Sequence, residues 1–159
     1  MADKNELMQA KVTFDTLCKM LDQRGWKYNK NEEKFSIDCS AQGDDLPIDI
    51  VMEVDAERKL VILLSQLPFI VPEDKRAEAS LAVSAVNYTM VDGSFDYNFM
   101  NGKIVFRLTS SYRDSMISVS ALEYMLMVSC GTVDEYNDQL LMFVKGRMSL
   151  EQIIEAANK

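Results

Sequence analysis

The chain reads as an α+β domain built on an antiparallel sheet of about five strands. Three observations predict this. Apolar residues recur at helical spacing near the N-terminus, between two strand regions and again in the last third. Two regions alternate apolar and polar residues one by one, the signature of half-buried strands. The pair Asn101-Gly102 sits between two such alternating segments, where it marks a tight hairpin. The element order is α-β-β-β-α-β-β-α, with one further short helix, in a single domain covering residues 1–159.

Leu7, Ala10, Phe14, Leu17, Cys18 and Leu21 form the stripe of a first helix of about five turns. Asp3 or Asn5 caps its start, and Gly25 ends it in a left-handed turn. Residues 26–28 begin an extended segment. Phe35, Ile37 and Cys39 then alternate with Lys34, Ser36 and Asp38, and Ile48, Ile50, Met52 and Val54 repeat the pattern after a polar loop. Asp55-Ala56-Glu57-Arg58 turns the chain into the run Leu60-Val61-Ile62-Leu63-Leu64. That run is apolar on both sides, as expected for a central strand or one covered on its second face by a partner. Pro68 and Pro72 bracket a connection, and Pro72 opens a second helix that reaches about Thr89. Its stripe is Ala77, Leu81, Ala85 and Tyr88, widened by Ala79, Ala82, Val83 and Val86.

A two-residue turn at Asn101-Gly102 sets Phe99 against Ile104, Tyr97 against Phe106 and Phe95 against Leu108, all on one face, with Asp96 opposite Arg107. Three capping boxes follow: Ser120 with Glu123, Thr132 with Glu135 and Ser149 with Gln152. They predict helices near residues 120–130, 133–145 and 150–157, the first two fusing into one if Gly131 is tolerated inside a helix.

Composition narrows the chemistry. The chain has 17 Lys and Arg against 25 Asp and Glu, a formal charge of −8, and no histidine. Nucleophile–imidazole pairs, His metal ligands and imidazole switches are therefore excluded. The acidic balance gives no electrostatic reason to bind nucleic acid or an anionic membrane. No GxGxxG or GxxxxGK[ST] loop is present. The longest apolar run is far too short to span a membrane, and the N-terminus lacks a signal core, so a cytoplasmic protein is expected. Cys18, Cys39 and Cys130 form no CxxC pair and read as buried, inert thiols. Asp44, Asp45 and Asp49 read as a solvated loop, and Asp134 and Asp138 as helix-surface acids. Neither group has a second catalytic element, and no cofactor is expected.

Methionine is the unusual component, with 11 residues. Met116, Met125, Met127, Met142 and Met148 concentrate in the last third. Flexible thioethers either fill an irregular core or form an adaptable partner surface.

From Leu67 to Leu150 the chain resembles the YbjN-like family of bacterial sensory transduction regulators, which is related in fold to type III secretion chaperones. The resemblance rests on the helix start from Pro72 to Arg76, the Ala-rich helix ending at Asn87 and the strand Gly93-Ser94-Phe95-Asp96-Tyr97. It continues through Gly102-Lys103-Ile104-Val105-Phe106-Arg107, Asp134-Glu135-Tyr136 and Val144-Lys145-Gly146. It implies a small acidic protein that dimerises and holds other polypeptides. The residues and the resemblance together point to a non-enzymatic protein-interaction module, chaperone-like or regulatory, with a homodimer interface on Leu81, Ala85 and Tyr88. The alternative is a small-ligand sensor with a pocket lined by Trp26, Tyr97, Phe106 and Tyr124.

Overall fold

A six-stranded antiparallel sheet, one strand more than expected, frames the computed structural model, which describes residues 2–159. The elements are α1 (Lys4–Gln23), β1 (Tyr28–Asn31), β2 (Ser36–Gln42), β3 (Pro47–Asp55), β4 (Leu60–Ile70), α2 (Arg76–Thr89), β5 (Ser94–Asn98), β6 (Lys103–Ser111), α3 (Val119–Val144) and α4 (Leu150–Ala157). The sheet order is β1-β2-β3-β4-β6-β5, so β4 is central. The extra strand, β1, is a polar four-residue edge whose sequence Tyr-Asn-Lys-Asn carries no alternation to reveal it.

One face of the sheet makes the core. Ile37 and Cys39 of β2, Ile48, Ile50, Met52 and Val54 of β3, Val61 and Leu63 of β4, and Ile104 and Phe106 of β6 are all buried. Against them pack Phe14, Leu17 and Leu21 from α1, Val83 and Val86 from α2, and Leu122, Leu126, Leu140 and Phe143 from α3. α1 begins with a capping box: Asp3 Oδ1 accepts from the Asn5 and Glu6 amides at 2.8 and 2.9 Å, and Glu6 Oε2 accepts from the Asp3 amide at 2.9 Å. Gly25 ends the run at φ +70°, as its sequence position predicts. Leu7, expected on the buried stripe, is exposed one turn before the packed segment starts at Ala10.

Pro68 lies inside β4 rather than in a connection. The pairing of β4 with β6 breaks between Gln66 and Ile70, and that irregularity accommodates a residue with no amide hydrogen to donate. The β5–β6 hairpin is also set differently. Phe95 pairs with Phe106 and Tyr97 with Ile104, two residues short of the expected register. Asn98 is the cause. Its Oδ1 accepts from the Met100 and Asn101 amides at 3.0 and 3.3 Å, while its carbonyl accepts from the Gly102 amide at 2.8 Å. Residues 99–102 thus form a four-residue loop, and Phe99 stands exposed instead of facing Ile104. A two-residue shift preserves side-chain parity, so Phe95, Ile104 and Phe106 still share the core face. Asp96 and Arg107 still meet, now on the diagonal, with Arg107 Nε and Nη2 donating at 2.6 and 3.1 Å.

The two expected helices around Gly131 are one helix of 26 residues, α3, capped by Ser118 rather than Ser120. The Ser149–Gln152 box does start α4. At the far end of the sheet Tyr112 closes the structure. Its hydroxyl donates to the Asp55 carbonyl at 2.9 Å and its amide to the Lys59 carbonyl at 3.0 Å, tying β6 to the β3–β4 turn.

Two predictions follow from these contacts. A Cβ at Gly131 meets nothing within 4 Å, so Gly131→Ala should raise unfolding stability by about 0.5–1 kcal/mol through helix propensity alone, measured by urea denaturation. Burial, and then the charges of Asp55 and Glu6, push the Tyr112 phenol up from 10.0 to about 12. Below pH 10 both folded and unfolded chains hold the proton; above it the unfolded phenol ionises first, so this residue's contribution is lost as pH rises from 10 to about 12. Tyr112→Phe should cost about 1 kcal/mol at neutral pH for the lost hydrogen bond, and should flatten the alkaline part of the stability–pH curve.

Candidate functional site

Among the surfaces that carry exposed apolar side chains, two are built on the secondary structure singled out in the sequence. The first is built on α2. After a single 3₁₀ turn at Glu73–Lys75, the helix turns Ala79, Ala82, Val83 and Val86 inward. The two alanines let its backbone lie close to what it packs on, including α4. The predicted stripe lies on the opposite side: Leu81 is 58% exposed, Tyr88 89% exposed, and Ala85 is half-buried between them. Val91, just past the helix, is 96% exposed and extends the stripe.

Side-chain hydrogen bonds fix this ledge to the rest of the fold. The Asn87 amide grips Phe95 of β5 on both backbone atoms: Nδ2 donates to the carbonyl at 2.9 Å, and Oδ1 accepts from the amide at 2.8 Å. The Tyr124 hydroxyl donates to Asp92 at 2.5 Å, which joins the α2–β5 connection to α3 and holds the phenol above its ordinary value. Exposed Met127 lies three residues further along α3, one turn from Tyr124 on the same side. Leu81, Ala85 and Tyr88 thus form an apolar ledge along α2, with Val91 just past its end, while Tyr124 and Met127 share a side of α3 that is tied to the α2–β5 connection through Asp92.

The second region is the outward face of the sheet. Burial in β4 alternates, with Val61 and Leu63 inside and Leu60, Ile62 and Leu64 half-exposed outside. The strand is therefore central, as expected, but its second side is open. Val51 lies beside Leu64 across β3–β4, and Val105 lies beside Gln66 across β4–β6. A shallow depression of about 350 Å³ crosses this face from Asp38 and Asp49 to Val105.

The other residues singled out in the sequence separate. Met125 is 3% exposed and belongs to the core, Met148 is half-buried against it, and Met116, Met127 and Met142 are exposed. The four-residue ligand pocket does not form. Phe106 is wholly buried, while Trp26, Tyr97 and Tyr124 line three separate shallow depressions. Asp134 accepts from the Asp44 amide at 2.8 Å, fastening the β2–β3 loop to α3, and Asp49 accepts from Ser40 at 2.6 Å. Burial pushes all three thiols up, Cys39 to about 11, which leaves them protonated and weakly nucleophilic. Sequence reasoning missed Val91 and Asn87. Val91 falls outside the helical stripe, and Asn87 shows its role only once β5 lies beside α2. No helix among the described residues is long and apolar enough to cross a membrane.

The fold has a solved counterpart. The crystal structure of YbjN from E. coli, described as a putative transcription regulator, superimposes with a TM-score of 0.58 over 79% of this chain and 92% of that one, at 14% identity. No curated protein matches the sequence. The profile of the YbjN family, "Putative bacterial sensory transduction regulator", matches residues 13–142, which takes in everything from the middle of α1 to the end of α3; the chain belongs to the YbjN family.

Proposed function

We propose that this chain is a non-enzymatic regulatory module that acts by binding polypeptides, in a chaperone-like manner and as a homodimer. The observation that carries the reading is the exposed apolar side of α2, Leu81, Ala85 and Tyr88. These residues recur on one side of α2, with exposed Val91 just past its end, and apolar residues grouped on a surface are favoured at protein–protein contacts. Tyr is also among the residues that dominate interface energetics.

A regulatory role fits the family description, and charge selects among its forms. The related E. coli protein is described as a putative transcription regulator. A net charge of −8 disfavours contact with the phosphate backbone, which supports regulation through a protein contact over regulation through DNA. Burial keeps the three thiols protonated and weakly nucleophilic. These features support binding rather than chemistry.

The test is solution mass by light scattering. The wild-type chain should run as a dimer, and Leu81→Asp should shift it to monomer with an unchanged circular dichroism spectrum, because an exposed position tolerates the charge within about 0.5 kcal/mol. A wild-type monomer would remove the homodimer, and an undisturbed Leu81→Asp dimer would move its interface off α2.

A further inference from the structure

We propose that the open face of the sheet is a second docking surface, distinct from the α2 ledge, and that its occupant is a cationic amphipathic helix from a partner polypeptide. The inference rests on the reading of the chain as a polypeptide-binding module and names the partner's chemistry.

The registers lay the open face out in rows. One row runs Ser36–Glu53–Ile62–Thr109, and the next runs Asn29–Asp38–Val51–Leu64–Arg107. Ser40 and Asp49 pair in a third row, and Gln66, Val105 and Asp96 continue it on the other side of β4. At β4 each row is apolar or uncharged, with Ile62, Leu64, Val51 and Val105 clustered around that strand and Leu60 extending the cluster. A solvated sheet face normally carries polar residues here. The depression of about 350 Å³ lies over the Val51, Leu64 and Val105 end of this cluster, with Ile62 and Leu60 beyond its rim.

Hydrogen bonding limits what can settle there. β4 is paired on both sides, with β3 and with β6, so the face offers side chains only and no free strand to extend. At the β5 edge the Asn87 amide already occupies both backbone groups of Phe95. The occupant must therefore bring its own backbone satisfied, as a helix does.

Charge selects the helix. The β2–β3 flank carries Asp38, Asp49 and Glu53, and none of them forms an ion pair among the described residues. Asp38 accepts from Asn29 at 2.8 Å and Asp49 from Ser40 at 2.6 Å, both neutral donors. On the opposite flank Arg107 is already held by Asp96 at 2.6 Å. The unpaired charge of that β2–β3 flank is negative, while the face's own cations that are unpaired among the described residues stand at its two outer ends, Lys27 at the β1 edge and Lys103 at the hairpin end of β6. A helix with an apolar face bordered by Lys or Arg complements the acidic flank. A second copy of this −8 chain would bring three more such carboxylates together with Lys27 and Lys103, a poorer match to that flank than a helix bordered by cations alone.

The probe is an 18-residue helical Leu/Lys peptide, fluorescently labelled and titrated against the full chain by anisotropy, beside a Leu/Glu peptide of identical pattern. The Leu/Lys peptide should bind and the Leu/Glu peptide should not. Ile62→Ser should weaken binding at least tenfold, and the pair Asp49→Asn, Glu53→Gln severalfold with a flatter salt dependence. Leu81→Asp should bind as the wild type does, whatever its effect on mass, which separates this surface from the dimer reading. Equal affinity for both peptides, or wild-type affinity in both the Ile62→Ser and the carboxamide variants, would overturn the proposal. Loss of a dimer in Ile62→Ser would overturn it too, by giving the face to a second copy. Should Ile62→Ser fail to fold, the carboxamide pair decides alone, since both sites are exposed.

Discussion

The structure depends on a sheet that is buried on one side only. Its inner rows, from Ile37 through Met52 and Leu63 to Phe106, hold the helices, and its outer rows hold none of them. This constraint places β4 in the middle with one face dry and one wet, and makes the strand apolar in both directions for two separate reasons. Val61 and Leu63 are core residues. Leu60, Ile62 and Leu64 are surface residues in a position where a solvated sheet would use polar ones. The α2 ledge arises from the same layering, because a helix lying on one side of a sheet must turn its other side outward.

Polar contacts confine these surfaces to side chains. Edge strands present unpaired amides and carbonyls that invite pairing with other chains. Here β1 is short, and β5 is capped at its second residue, Phe95, by Asn87. The bidentate Asp96–Arg107 pair sits beside that edge and neutralises itself. What remains open to a partner is apolar or acidic surface, which fits recognition by complementary side chains better than strand exchange.

Much of this was legible in the sequence. Alternation located β2, β3, β5 and β6, and the helical stripe and caps located α1, α2 and α4. The stripe of Leu81, Ala85 and Tyr88 was visible as a face, but which face of α2 is buried was not. Ala79, Ala82, Val83 and Val86 are as apolar as the exposed set, and only tertiary packing separates them. β1 escaped because an edge strand that buries little needs no apolar pattern. The hairpin register escaped because Asn98 competes with Asn101-Gly102 for the turn, and its side chain wins by satisfying two amides at once. The capping signals at Ser120 and Thr132 were genuine patterns overruled by a continuous apolar face along α3.

The strand order also divides the chain by how far apart its contacts lie. β1 through β4 form a meander in which each strand meets its neighbour in sequence, and β5 meets β6 across a four-residue loop. The seam between β4 and β6 is different: residues 60–66 pair with residues 105–111, and the intervening loop contains all of α2 and β5. Closing that loop carries the largest entropic cost in the sheet, so the N-terminal meander and the C-terminal hairpin assemble locally while their union waits on collapse of the core between them. Until that union forms, both sides of β4 and the inner face of β6 stand uncovered, which makes the nascent chain most prone to association before Tyr112 reaches the carbonyl of Asp55.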